Sequence, residues 1–228
     1  MTAFDSRPIR KTSLHLEAAH ALREAIIGGD LAPGDRLDEA EYCDAFRISR
    51  TPLREAFKLL EAENLLWVRP GRGVYVTVMT AHEVTDLFEV VSDLERLAVT
   101  LAVERMSITD RARLRRMHDR MLHLYRRDEL RECFQADFEI HSFLVEKSAS
   151  SVLRETHFTL MARARRGRYV ALFSRARWDE AMIEHESFME AIERRDAVSA
   201  GALVHRHVTR TGAVLRQTLI EEQSRTAI

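Results

Sequence analysis

Three sets of residues in this 228-residue chain have the types and spacing to do chemistry. Asp137 and His141 stand four apart, each three residues after a phenylalanine, Phe134 and Phe138. On a helix that spacing puts both side chains on one face, one turn apart, where they can grip a single ion. His185 sits in the middle of a Met182/Met189/Ile192 stripe, while His205 and His207 flank a Val204/Val208/Leu215 stripe about equally. Periodicity therefore does not choose between those last two. A buried Asp–His pair can also satisfy itself by hydrogen bonding, which is the plainer reading of Asp137 and His141 alone. Inward histidines on two further helices favour a divalent transition metal such as zinc, nickel or manganese, with positions left open for water or a ligand. The second set is Arg50, Arg54 and Lys58, a row of cations four apart. The third is Arg72, inside Pro70-Gly71-Arg72-Gly73 between two short β-type runs.

These residues need elements to hold them. All four prolines and five of the eight glycines fall before residue 74, and only Gly167, Gly201 and Gly212 follow. That contrast predicts a turn-punctuated domain over residues 1–79 and an all-helical domain over 80–228. In the first, Leu14 to Ile27 reads as a helix stopped by Gly28-Gly29, with a turn at 31–35 and a short helix over about 39–46. After a tight connection at Arg47-Ile48, Ser49 caps a second helix with Pro52 in its first turn. That helix carries Leu53, Ala56, Phe57 and Leu60 on one stripe and the cationic row on another. Helix, turn and helix followed by a hairpin, Leu66–Arg69 and Val74–Thr77, make a winged helix-turn-helix. The second helix would enter the major groove, where arginine can donate two hydrogen bonds to guanine. A wing-tip arginine can meet a phosphate or the minor groove.

The helical domain announces itself with Leu87, Val90, Val91, Leu94, Leu97, Ala98 and Leu101 at intervals of three and four. Further helices follow around Leu114–Leu124, Phe134–Val145, Val152–Phe173, Trp178–Ile192 and Val198–Leu219. The run Arg111, Arg113, Arg115 and Arg116 reads as a solvated helix face rather than a second nucleic-acid site. The expected architecture is mainly α: a winged helix-turn-helix with a small β-hairpin, then a helical bundle.

The stretch from Ile26 through Val76 resembles the DNA-binding domain of the GntR family. The turn Pro33-Gly34-Asp35-Arg36-Leu37, the run Ser49-Arg50-Thr51-Pro52-Leu53-Arg54-Glu55-Ala56 and the wing Arg69-Pro70-Gly71-Arg72-Gly73 carry the likeness. The resemblance implies that Arg50 and Arg54 contact bases or nearby phosphates, that Thr51 supports them, and that Gly71 and Arg72 act at the wing. Arg47 and Asn64 stand where the family commonly has glycine, which implies left-handed backbone at both. Beyond residue 82 the order Asp-x-x-x-His, Glu-His and a histidine 22 residues on is similar to the ligand-binding domain of the FadR subfamily. By that likeness the metal ligands are Asp137, His141, His185 and His207, and the metal receives the carboxylate of a small organic acid. Two departures stand out. Val91 occupies the place of an arginine that pairs with the effector's acid group, and Ser151 that of an asparagine. Arg163 or Arg165 is the candidate replacement cation for the effector.

The implied protein is a ligand-responsive bacterial regulator, a repressor by the family's commoner habit, binding a palindromic operator in double-stranded DNA as a homodimer. Catalysis is not expected: no nucleophile or general base accompanies the Asp/His set, which leaves metal-dependent hydrolysis unsupported. A regulator for which the ion itself is the signal is the alternative. The two cysteines lack metal spacing and read as thiols in a reducing cytoplasm. No apolar run has the roughly 20 residues of a membrane span, and no signal peptide is legible. A net charge of −1 means that any DNA affinity must come from local clusters of cations.

Overall fold

The computed structural model describes residues 14–171 and 175–226, and the side chains among them except those of 162–171 and 222–226. The chain divides between Val78 and Met79 into two compact units.

In the first unit, α1 (Leu14–Ile27) buries Ala18, Ala19, Leu22, Ile26 and Ile27 along one stripe. It stops at Gly28-Gly29, where Gly29 takes a φ of 82°. After β1 (Arg36–Leu37), α2 (Glu39–Phe46) is capped by Asp38, whose carboxylate accepts from the backbone N–H of Ala40 and Glu41. Those two bonds hold the Asp38 carboxyl below the usual range. The helix ends at Arg47 with φ 53°, the left-handed geometry expected of a position where glycine is common, at a cost of about 1 kcal/mol. Asn64, φ 56°, does the same after α3 (Arg50–Ala62). Ser49 stands at the N-cap of α3, as expected from the sequence, but makes no side-chain cap bond.

The wing is larger than the expected hairpin. Strands β2 (Leu66–Arg69) and β3 (Gly73–Val76) pair antiparallel, with Trp67 opposite Tyr75, and β1 adds to the other edge of β3 with Arg36 opposite Tyr75. The order is β1-β3-β2. Leu37, Leu66, Val74 and Val76 turn inward onto Leu22, Leu53, Phe57 and Leu60, so one apolar core fixes the outward edge of α3 and the wing together.

The second unit contains α4 (Ala81–Arg105), α5 (Ile108–Arg126), α6 (Leu130–Lys147), α7 (Ser151–Ala171), α8 (Arg175–Glu193) and α9 (Ala197–Thr226). Capping boxes at Thr80/Glu83 and Ser107/Asp110 start α4 and α5. Of the apolar residues that repeat along α4, Leu87, Val91 and Ala98 are buried, whereas Val90 and Leu97 are 51% and 45% exposed. Arg115, expected on a solvated face, instead bonds Glu186 and Glu193 of α8 at 3.0 and 2.6 Å.

Helices α4 and α9 lie so close because α9 offers glycine where they meet. A Cβ on Gly212 would sit 2.6 Å from both Cβ and Cγ of Phe88, and one on Gly201 would sit 2.5 Å from Thr100 Oγ1. Phe88 cannot swing away at its own Cβ, so Gly212→Ala must push the helices apart. Denaturant unfolding of the full chain should show a loss of about 1–3 kcal/mol. Unchanged stability would mean the helices separate without cost.

Candidate functional site

In the first unit, α3 exposes Arg50, Thr51, Arg54 and Lys58 while burying Leu53, Ala56, Phe57 and Leu60. An open cleft of about 610 Å³ runs between this edge and the wing. Its lining includes Arg36, Arg50, Arg54, Lys58 and Arg69, with Asp38, Glu39 and Glu61 as the acidic members. Gly71 and Gly73 have φ of 71° and 113°, conformations that favour glycine, and they carry exposed Arg72 at the tip. The Tyr75 hydroxyl donates to the Arg72 carbonyl at 2.9 Å. Of the five residues expected to contact DNA, Arg50, Arg54 and Gly71 line this cleft, and Thr51 and Arg72 are exposed.

Three contributors to that face were not anticipated. Glu39 of α2 takes the Nε/Nη2 edge of Arg54 at 2.9–3.1 Å, leaving Arg54 with 60% of its side chain exposed. Arg36 arrives on the two-residue strand, and Arg69 lies 3.7 Å over the Trp67 ring. A strand of two residues has no periodicity to read, so Arg36 could not have been placed in advance.

In the second unit, Asp137, His141, His185 and His207 come together from α6, α8 and α9, with one ligand atom from each within 4.8 Å of the others. All four are buried. His205, which periodicity alone could not separate from His207, is 39% exposed and faces Asp93 at 4.0 Å. His185 Nε2 stands 2.9 Å and His141 Nε2 3.5 Å from Asp137 Oδ1. Neither nitrogen has hydrogen-bond geometry to a partner among the described residues. Close buried groups that meet without good mutual hydrogen-bond geometry fit a set arranged about a common point. Ligand bonds of about 2.0–2.2 Å from such a point reach separations of up to about 4.4 Å, which takes in the 2.9 and 3.5 Å pairs.

The charges follow from the packing. Burial opposes ionisation of Asp137, yet His141 and His185 overcome it and hold the carboxyl well below its ordinary value. Burial likewise lowers His141, but Glu95 and Asp137 outweigh it and raise the imidazole to about 9. His185 is lowered by burial, and His207 is pushed by burial down to about 3.

Behind the cluster lies a shell that sequence reasoning missed. Glu95 of α4, 1% exposed, meets His141 Nδ1 at 2.5 Å and His157 Nε2 at 3.1 Å. Glu184 meets His207 Nδ1 at 2.7 Å and the Nη2 of buried Arg177, which also donates to Thr211. His118 of α5, driven by burial to about 4, lies nearly parallel to His185 with 6.0 Å between ring centroids. A signal for three of these residues was there. Glu95 follows Val91 by four, His157 follows Leu153 by four, and His118 follows Leu114 by four, each on an apolar stripe.

Of the remaining expectations, Val91 is fully buried and supplies no charge to this region, and Ser151 is the exposed first residue of α7. The side chains of Arg163 and Arg165 lie outside the described residues. No helix among the described residues is long and apolar enough to cross a membrane.

A winged helix-turn-helix with a cationic outer edge is the architecture of a DNA-binding regulator, and here a helical unit with an inward polar cluster follows it. The chain belongs to the GntR family of bacterial regulatory proteins: residues 14–76 match that family's model and residues 86–210 match the FCD domain. This pairing is that of the FadR subfamily, and it makes the chain a DNA-binding regulator with an effector-binding helical domain. It is 29% identical over 202 residues to the Nta operon transcriptional regulator of Aminobacter aminovorans, covering 85% of this chain and 92% of that one. Its identity to the regulator LutR of Bacillus subtilis is 28%, over 83% and 95% of the two chains. Among solved structures, a GntR-type regulator from Rhodococcus sp. RHA1 superposes with TM-score 0.76 at 26% identity, covering 90% and 98%. Escherichia coli McbR shares the fold, with TM-score 0.79 at 22% identity over 91% and 99%.

Proposed function

We propose that the chain is a homodimeric repressor of a two-fold operator, released by a small organic acid that binds a divalent metal held by Asp137, His141, His185 and His207. The observation that carries the effector half is the convergence of four buried donors, with neither Nε2 of His141 and His185 in hydrogen-bond geometry to a partner among the described residues. Such atoms are costly inside a protein unless something binds them. Zinc, nickel or manganese suits one carboxylate and three imidazoles. When bound, the ion would act as a Lewis acid that takes the effector's carboxylate at its open positions. The protein's own residues fix where that carboxylate sits.

The DNA half rests on the outward edge of α3, where Arg50 and Arg54 would reach bases, Thr51 would support them, and Gly71 and Arg72 would meet the backbone. Dimerisation is supported by the spacing of Val90, Leu94, Leu97 and Leu101 along α4, a four-three-four apolar run that the single chain leaves partly open. Repression is supported by RspR of Escherichia coli, named a transcriptional repressor, which is 25% identical over 86% of both chains.

One observation favours a second reading, in which the ion alone is the signal: Val91 is apolar and buried where the subfamily resemblance expects an effector-binding arginine. A single experiment separates the two. The full chain, stripped of metal, is used to select sequences from random DNA, and the selected complex is challenged with zinc alone and with zinc plus a panel of small carboxylates. An inverted repeat bound by two chains and released only by zinc with an acid supports the main reading. Release by zinc alone supports the second. A single unrepeated half-site bound by one chain overturns the dimeric operator.

A further inference from the structure

We propose that Glu95 is the positioning carboxylate of the metal centre, holding His141 with a proton on Nδ1 and its Nε2 turned to the other donors. This rests on the metal reading given above and goes beyond it by assigning a residue that is no ligand. Glu95 Oε2 faces His141 Nδ1 at 2.5 Å. An ionised carboxylate only accepts, so the nitrogen facing it carries the hydrogen. An ion that takes this ring therefore takes it at Nε2, the atom 3.5 Å from Asp137 Oδ1. Fixing which nitrogen binds an ion by a hydrogen bond to the other is the general use of a carboxylate behind a ligand histidine.

The carboxylate is itself held. His157 Nε2 stands 3.1 Å from Glu95 Oε1, and both residues are buried. Glu95 thus ties three helices together, α4 through its own backbone, α6 through His141 and α7 through His157. A second acid meets a ligand histidine at Glu184, whose Oε2 faces His207 Nδ1 at 2.7 Å. Arg177 Nη2, which can only donate, also lies 3.2 Å from that nitrogen, so the ring held by an acid alone is His141.

A packing role alone would not call for an acid. Val91, Ala98, Val99 and Ala102 surround position 95 on its stripe, and an apolar residue there would continue the core. Burying a carboxylate is expensive even when paired, so its retention needs a use.

The test uses the full chain carrying Glu95→Gln, which keeps the volume and removes the charge, alongside Glu95→Leu. Zinc affinity is measured by competition with a chromophoric chelator, and the His141 Nδ1 proton is followed by NMR in the zinc-loaded protein. Glu95→Gln is expected to bind zinc roughly 10- to 100-fold more weakly and to lose the strongly deshielded Nδ1 proton of the wild type. Glu95→Leu should weaken zinc at least as much, and if it fails to fold the Gln variant decides. Wild-type affinity with an unmoved resonance in Glu95→Gln overturns the positioning role while leaving the metal site standing. Failure of the wild type to bind zinc, nickel or manganese overturns the metal reading itself and this inference with it.

Discussion

Replacing His141 and His185 together by alanine is expected to abolish stoichiometric metal and to erase the gain in thermal midpoint that added metal gives the wild type. These two rings supply the Nε2 atoms nearest Asp137 Oδ1, at 3.5 and 2.9 Å, so their loss leaves one imidazole and one carboxylate. The quantity to read is the difference between midpoints in chelator and in metal, because the cavities left by two alanines lower both equally. A ligand at 100 times its Kd stabilises a protein by about 2.7 kcal/mol. In a protein of this size that amounts to roughly 5–10 °C. Full metal content in the double variant would remove these residues from the site.

The same cluster fixes how metal affinity should change with pH. His141 is held up at about 9 against an ordinary 6.5, so the metal-free protein carries a proton there at neutral pH. A folded-state value above the unfolded one adds stability that is complete below about 6.5 and fades as pH rises through about 9. Metal affinity moves the other way, since an ion on Nε2 must displace that proton. Burial keeps His185 and His207 neutral, and Asp137 is already ionised, so none of these adds a proton to be released. Zinc titrations in buffers of different ionisation enthalpy should show about one proton leaving per ion at pH 7. Proton-independent binding would contradict that charge state.

What could be read in advance divides along physical lines. Regular repeats were legible because burial imposes a period, which is why the stripe of α1 and the one-turn spacing of Asp137 and His141 stood out. Left-handed backbone at Arg47 and Asn64 was legible from the glycines they replace. The third strand was not, because Arg36-Leu37 is too short to alternate and forms only by pairing with β3. Glu95, His118 and His157 escaped for another reason: a charged or polar residue on an apolar stripe is readily taken as an interruption. Each is one of the few polar side chains the core admits. The exposed Val90 and Leu97 mark the reverse case, in which periodicity reports burial that a single chain does not complete.

Arg54→Ala is expected to weaken operator binding by about 1–3 kcal/mol, roughly 5- to 150-fold, and to relax the preference at one base pair in each half-site. Arginine that reaches a guanine edge carries discrimination as well as affinity, whereas a phosphate contact weakens all sequences alike. The Glu39 contact sharpens the expectation. An ion pair this exposed adds little to folding stability, so its consequence is to orient the guanidinium by its Nε and Nη2. Glu39→Ala removes a negative charge from a DNA-facing cleft, which should raise affinity for any duplex at low salt. It also frees Arg54 to wander, which should reduce discrimination between the operator and its single-base variants. If Glu39 acts through Arg54, its effect on discrimination disappears when Arg54 is already alanine, a coupling that a double-mutant cycle measures directly. Additive losses of discrimination would assign Glu39 an independent role, and an unchanged footprint and affinity for Arg54→Ala would take this edge of α3 out of the operator contact.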